Sequence, residues 1–185
     1  MSGSAERDYR KTFVPVKPGE RTPKMVRNTT DYQVLLRTIW AEARGEPADG
    51  QLAVAHVIWT RARSNLEYWG GNTIAGVCLK KYQFECWNEA CNIDDINMIG
   101  SPEGILAKEA IENWLDNFKN FRDPVKLGMD PKNPLRDSYA DHYNNPTLEN
   151  NPVPKWVGNC YELCKIENHQ FYVSKDRWNV TPSEP

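Results

Sequence analysis

The chain reads as an α+β fold, mainly helical, and three features of its 185 residues predict this. Two helix-forming runs, broken by a short Gly/Pro turn, fill residues 30–61, TDYQVLLRTIWAEARGEPADGQLAVAHVIWTR. A third run with helical periodicity follows Ser101-Pro102. The other apolar segments are short and aromatic-rich, the format of strands or of a cleft floor.

The first helix is expected over about 31–44. Thr30 and Gln33 have the three-residue spacing of a capping box, and Val34, Leu35, Thr38 and Ile39 recur on one stripe. Extending that stripe by three from Ile39 reaches Glu42, which is therefore expected to point inward in the last helical turn. Desolvation and the negative end of the helix dipole both disfavour a charged carboxylate there, so its pKa should rise, as a general acid requires. An ordinary ion pair of Glu42 with Arg44 or Arg61 is the alternative on pattern alone. Gly45 is expected as a left-handed stop, and Pro47 moves Glu46 out of helical geometry.

The second helix is expected from about Gly50 to Ser64, with Asp49 as its N-cap. Leu52, Val54, Ala55, Val57, Ile58 and Trp59 lie all round its axis, so it should be the buried central helix. His56 within it reads as a satisfied core histidine. A short helix over Thr73–Lys80, capped by Asn72 or Thr73, follows a Gly-Gly-Asn turn. Tyr82–Trp87 reads as a short extended segment and 88–100 as irregular. Pro at the first helical position and the run Leu106, Ala107, Ala110, Ile111, Trp114, Leu115, Phe118 predict a helix from 102 to about 120. A long loop with prolines at 124, 131 and 134 should follow. Tyr139–Asn145, Trp156 and His169–Val173 are the short aromatic segments. Residues 1–29 are polar, without periodicity, and read as a flexible arm; 30–178 form the folded domain and 179–185 a polar tail.

Composition narrows the function. A hydrophobic fraction of 39% and a mean hydropathy of −0.72 describe a polar chain, and no apolar run is long enough to insert in a membrane. With 23 basic and 25 acidic residues, a broad basic surface for nucleic acid is not expected. Seven Trp and eight Tyr are many for this length and suit both a core and stacking on sugar faces. The five cysteines contain no CxxC pair and are expected as buried thiols. Cys160 and Cys164 have helical i,i+4 spacing, but a metal site would need two more ligands, and neither a metal nor another cofactor is predicted. The N-terminus MSGSAERDYRKTF has no apolar h-region.

Five blocks, in order, resemble the SleB/CwlJ type of cell wall hydrolase, the spore cortex-lytic family also found among bacteriophage endolysins. They are Ala41–Ser64, with its two Glu, Gly-Gln and Arg; Asn72–Val77; Gln83-Phe84 with Trp87; Ala140–Asn144 followed by Pro154-Lys155-Trp156; and Ile166–Tyr172. The resemblance covers about residues 31–173. It departs in a longer stretch over about 88–138, and in Asp141, where family members often carry a small hydroxyl residue.

The resemblance implies a single lysozyme-like (lytic transglycosylase-like) catalytic domain that cleaves peptidoglycan glycan strands, with Glu42 as the essential acid and Glu46 in support. Gln83, Trp87, His142, Tyr143 and Tyr172 are the candidate substrate contacts. In a lytic transglycosylase the 6-hydroxyl of muramic acid attacks the anomeric carbon, and one Glu serves as acid then base. A hydrolytic muramidase would need a second carboxylate, at about 5 Å to retain configuration or roughly 6.5–9.5 Å to invert it. Glu46, Asp49, Glu85 and Asp141 are the candidates. Two rival classes stand beside this one: a cell wall cysteine peptidase built on Cys86 with His142 or His169, and a non-catalytic glycan-binding module. The expected setting is a phage endolysin made in the host cytoplasm that reaches the cell wall after release to lyse the host, acting as a monomer.

Overall fold

In the computed structural model the described residues are 30–88, 133–135, 138–148 and 152–177. The predicted arm (1–29), the helix expected from 102, most of the proline-rich loop and the tail lie outside them, as do the side chains of Thr30 and Gln33.

Helix α1 spans Thr30–Ala43 and buries Val34, Leu35, Leu36, Ile39, Trp40 and Ala43. Thr38, also buried, donates from its hydroxyl to the Val34 carbonyl at 2.7 Å. The helix ends in two main-chain bonds, Arg44 N–H to Trp40 O and Glu46 N–H to Ala43 O, and Gly45 is not left-handed. The expected αL stop is thus replaced by a turn that Pro47 terminates. Helix α2, Ala48–Ser64, begins directly after Pro47, so Asp49 sits in its first turn and not at the N-cap. Its negative charge still favours the positive helix end. Gly50 and every residue from Leu52 to Ala62 are buried, as an apolar surface on all sides predicts. Asn65, at φ 50°, closes it.

Helix α3, Ile74–Leu79, is capped by Thr73, whose hydroxyl accepts from Gly76 N–H at 2.9 Å. Asp31 on α1 accepts from Ala75 N–H at 2.9 Å and ties the two helices together. Gly70, at φ 105°, is needed here for two reasons. Its backbone is left-handed, and a Cβ would lie 2.1 Å from the Gly76 carbonyl oxygen.

Tyr82–Trp87 is not extended, contrary to its alternating pattern. Tyr82 turns at φ 67°, and Glu85–Trp87 form a 3₁₀ turn. The cause is side-chain burial: Phe84, Cys86 and Trp87 are all buried, and the Trp87 indole N–H donates to Thr38 Oγ1 at 2.9 Å.

The second layer is a three-stranded antiparallel sheet of β1 (His142–Asn144), β2 (Cys160–Ile166) and β3 (His169–Ser174), in the order β1-β3-β2. The helical spacing of Cys160 and Cys164 is misleading, since both lie on β2, with a register shift between Glu162 and Cys164. This is an edge strand whose Tyr161, Glu162 and Lys165 stay exposed, so it lacks a clean apolar alternation. A 3₁₀ turn, Lys155–Asn159, precedes it and carries Trp156. Tyr143 pairs with the fully buried Phe171, which joins the sheet to the helical core.

His56 is the satisfied core histidine that was expected. Its Nδ1 accepts from the Asn133 amide at 2.7 Å and its Nε2–H donates to the Ser138 carbonyl at 3.0 Å. Burial holds its pKa down at about 4, so it stays neutral at pH 7. Cys78, Cys86, Cys160 and Cys164 are free thiols. Among the described residues no helix is long and apolar enough to cross a membrane, and no cluster suits a metal ion.

Candidate active site

A cleft of about 840 Å³ opens between the C-terminal end of α1, the 82–86 turn, β1 and the segment that carries Pro154 and Trp156. Glu42 lines it, in the last turn of α1, where the apolar stripe predicts an inward side chain. Its Oε2 accepts a hydrogen bond from the Tyr143 hydroxyl at 2.8 Å, so Oε1 is the oxygen left to hold an exchangeable proton. Burial raises the Glu42 pKa above the usual carboxylate value, and the negative charge of Glu85 adds to the rise. The Tyr143 bond and the Arg61 charge pull the other way, but burial prevails. Tyr143 is itself pushed well above the ordinary phenol range, by burial first and then by Glu42, so it stays a donor at neutral pH.

Arg61, at the end of α2, is buried against the cleft wall. Its Nε donates to the Asp141 carbonyl at 2.8 Å and its Nη1 to Gln83 Oε1 at 3.3 Å. The rings of Trp69 and Phe84 lie 5.5 and 5.7 Å from the guanidinium carbon. A guanidinium only donates, so Gln83 must turn its oxygen to Arg61 and its NH₂ elsewhere. Gln83 lines the cleft and is therefore equipped to donate to a substrate acceptor. Arg61 acts on Glu42 through its charge and not as the ordinary paired partner that the sequence left open.

Of the other sequence candidates, His142 and Tyr143 line the cleft, whereas Trp87 and Tyr172 do not. Trp87 is a core residue bonded to Thr38, and Tyr172 is buried on β3 with its hydroxyl donating to Asn144 Oδ1 at 2.9 Å. For both, core packing is the alternative to a substrate contact, and it is the one the structure shows. Trp87 is carried inward by its 3₁₀ turn, whereas Tyr172 shares the strand face of its partner His142 and lies behind Trp156, at 5.1 Å between ring centroids.

Glu46 stands behind the site. Its Oε2 accepts from Asn168 N–H at 3.4 Å and its Oε1 lies 4.0 Å from His169 Nε2. His169 packs on the Tyr143 ring with centroids 5.0 Å apart. Among the described residues, Glu46 connects to Glu42 through the β2–β3 turn, His169 and Tyr143. Gly50 leaves room for it, since a Cβ there would meet the Glu46 Cβ at 3.0 Å.

Asp49 is exposed on α2, and Asp141 is buried against His142 and Ser174, so neither faces the reaction. Among the described residues, Glu42 and Glu85 are the carboxylates that line the cleft. For the peptidase reading, Cys86 lines the same cleft as His142 and His169 but is buried, and the polar contacts of the two histidines run to Asp141, Ser174 and Cys160 and to Glu46. Pattern reasoning did not single out Tyr68, Trp69, Tyr82 or Leu148, which also line the cleft. Tyr68, Tyr82 and Leu148 are exposed and Trp69 is buried, and none of them sits in a periodic pattern that would mark it.

The cell wall hydrolase family model matches residues 45–172, with Glu42 just ahead of the matched span. A spore cortex-lytic enzyme of Bacillus subtilis (strain 168) is 27% identical over 144 residues, 78% of this chain. The chain spans 38% of that relative's length. The catalytic domain of the germination-specific lytic transglycosylase SleB from Bacillus anthracis superposes with a TM-score of 0.52 at 27% identity, covering 81% of this chain and 98% of that one. The catalytic domain of the Bacillus cereus SleB protein gives 0.51 at 25% identity, covering 83% and 96%. With more than half of its length matched and the SleB fold in common, this chain belongs to the cell wall hydrolase family.

Proposed function

We propose that the chain is a peptidoglycan lytic transglycosylase of lysozyme-like fold that cleaves the bond between N-acetylmuramic acid and N-acetylglucosamine, with Glu42 as acid and then base. The observation that carries this is one partly buried carboxylate with a raised pKa at the wall of a polar and aromatic cleft, held by Tyr143. The similarity to the SleB catalytic domains supports the same reading. Glu42 gives its proton to the leaving glycosidic oxygen as the C–O bond breaks. The resulting carboxylate, stabilised by Tyr143 and by the Arg61 charge, takes the proton of the muramic acid 6-hydroxyl. That oxygen closes on the anomeric carbon, which yields a 1,6-anhydro end and returns Glu42 to its protonated state.

Glu42→Gln keeps the shape and removes the proton donor. It should lower clearing of a peptidoglycan suspension by roughly 10²–10⁴-fold, the usual worth of general acid–base catalysis. Clearing at the wild-type rate would exclude this mechanism and would favour a peptidase or a binding module.

Glu85 favours a second reading, hydrolysis with the same acid. Its carboxylate lines the cleft and its charge acts on Glu42. Reducing-end muramic acid in the products would select it. The setting of host-cell lysis by a phage enzyme belongs to this proposal and rests on the family resemblance alone.

A further inference from the structure

Asp141 is a buried carboxylate that the reaction above does not use. It nonetheless makes four polar contacts beside the cleft. Its main chain donates to the Tyr172 carbonyl at 3.0 Å and accepts from Arg61 Nε at 2.8 Å. Its Oδ1 accepts from Ser174 N–H at 2.9 Å and lies 2.9 Å from His142 Nδ1. Because Oδ1 is already an acceptor toward a main-chain N–H, the second short contact requires the proton to sit on the imidazole. Ser174 Oγ at 3.4 Å and Cys160 Sγ at 4.0 Å are the other groups near Nδ1, and each can accept from it.

The tautomer of a histidine follows from the hydrogen bond its other nitrogen makes. With Nδ1 protonated, Nε2 of the neutral ring carries the lone pair, and no group among the described residues bonds it. The ring cannot turn easily. It lies against Trp156 with centroids 4.6 Å apart and meets the edge of Trp69 at 5.9 Å. His142 lines the main cleft and also a neighbouring depression of about 400 Å³ whose walls include Ser174, Asn159 and Lys175.

We propose that Asp141 is a positioning residue that holds His142 in the Nδ1–H tautomer, so that Nε2 meets the substrate as an acceptor for a hydroxyl or amide N–H of the glycan strand. The tautomer stands on geometry alone; the identity of the donor rests on the glycan-cleaving reading above. Asp141 also differs from the small hydroxyl residue that the resemblance leads one to expect at this position, so the device belongs to this chain's own sequence.

The test is a two-bond ¹H–¹⁵N correlation spectrum of the ¹⁵N-labelled full chain, at a pH where the ring is neutral, together with steady-state kinetics on soluble peptidoglycan strands. The wild type should show His142 as Nδ1–H, whereas free histidine favours Nε2–H. Asp141→Ala should revert the ring toward Nε2–H and raise KM about five- to tenfold, the worth of one hydrogen bond, with kcat little changed. Asp141→Asn, whose amide oxygen still accepts, should restore both the tautomer and KM.

An Nε2–H wild type overturns the proposal. So does a folded Asp141→Ala that keeps the wild-type tautomer or KM, or a folded Asp141→Asn that fails to rescue them. The wild-type spectrum needs no variant, so a misfolded Asp141→Ala leaves the question decided. A wild type that cleaves nothing refutes the functional reading and leaves the tautomer result intact.

Discussion

The Tyr143 hydroxyl donates to Glu42 Oε2 at 2.8 Å, across the seam between the last turn of α1 and the first strand of the sheet. The bond does more than orient the acid. It lowers the Glu42 pKa against the larger upward effect of burial, and so sets where between these two the acid titrates.

Tyr143→Phe removes that bond while the ring stays packed on His169 and Phe171. The Glu42 pKa then rises further, because the carboxylate loses its donor. A general acid must be protonated, so activity falls as pH climbs through its pKa. The alkaline limb of the kcat profile should therefore move to higher pH by roughly one to two units, from a hydrogen bond to a charged group of about 1.5–3 kcal/mol. A limb that moves to lower pH would contradict this.

The same burial has a cost in stability. The Glu42 pKa is raised on folding, so the native state binds this proton more tightly than the unfolded chain does. Ionisation therefore destabilises the fold once pH passes the ordinary carboxylate value of about 4.3. Glu42→Gln should leave Tm nearly unchanged below that pH and raise it progressively toward neutrality. The scale is about 2–4 °C for each kcal/mol relieved in a domain of this size. Calorimetry at pH 4 and pH 7 reads the difference, and a Tm gain confined to acid pH would be the wrong sign.

Two tryptophans that look alike in sequence should behave differently. Trp87 is buried and bonded to Thr38, away from the cleft, while Trp156 lines it beside His142. Trp87→Phe should cost about 1–3 kcal/mol in urea unfolding and leave KM unchanged. Trp156→Ala should raise KM up to about tenfold, as loss of an aromatic contact of about 0.5–1.5 kcal/mol implies. A KM effect at Trp87 without a stability effect would return that residue to the substrate.

The helical half of this fold is legible because its signals are local. The apolar stripe of α1 and the all-round apolar surface of α2 locate both helices within two residues, and the stripe alone aims Glu42 inward. What the sequence does not carry is set by partners far along the chain. Trp87 turns inward because Thr38, 49 residues away, offers an oxygen. Cys160–Ile166 is a strand because β3 pairs with it, despite charged residues and a helix-like cysteine spacing. The contacts of Glu46 with Asn168 and His169, and through His169 with Tyr143, exist only once the hairpin has folded.

The central claim is that one glutamate does the work of both acid and base, and the products record it. Purified peptidoglycan digested with the wild-type chain and with Glu42→Gln, then analysed by mass spectrometry, reads those products directly. Muropeptides with 1,6-anhydromuramoyl ends from the wild type, and none above background from the variant, are the predicted result. Reducing-end muramic acid from the wild type, or anhydro ends from Glu42→Gln, would contradict it.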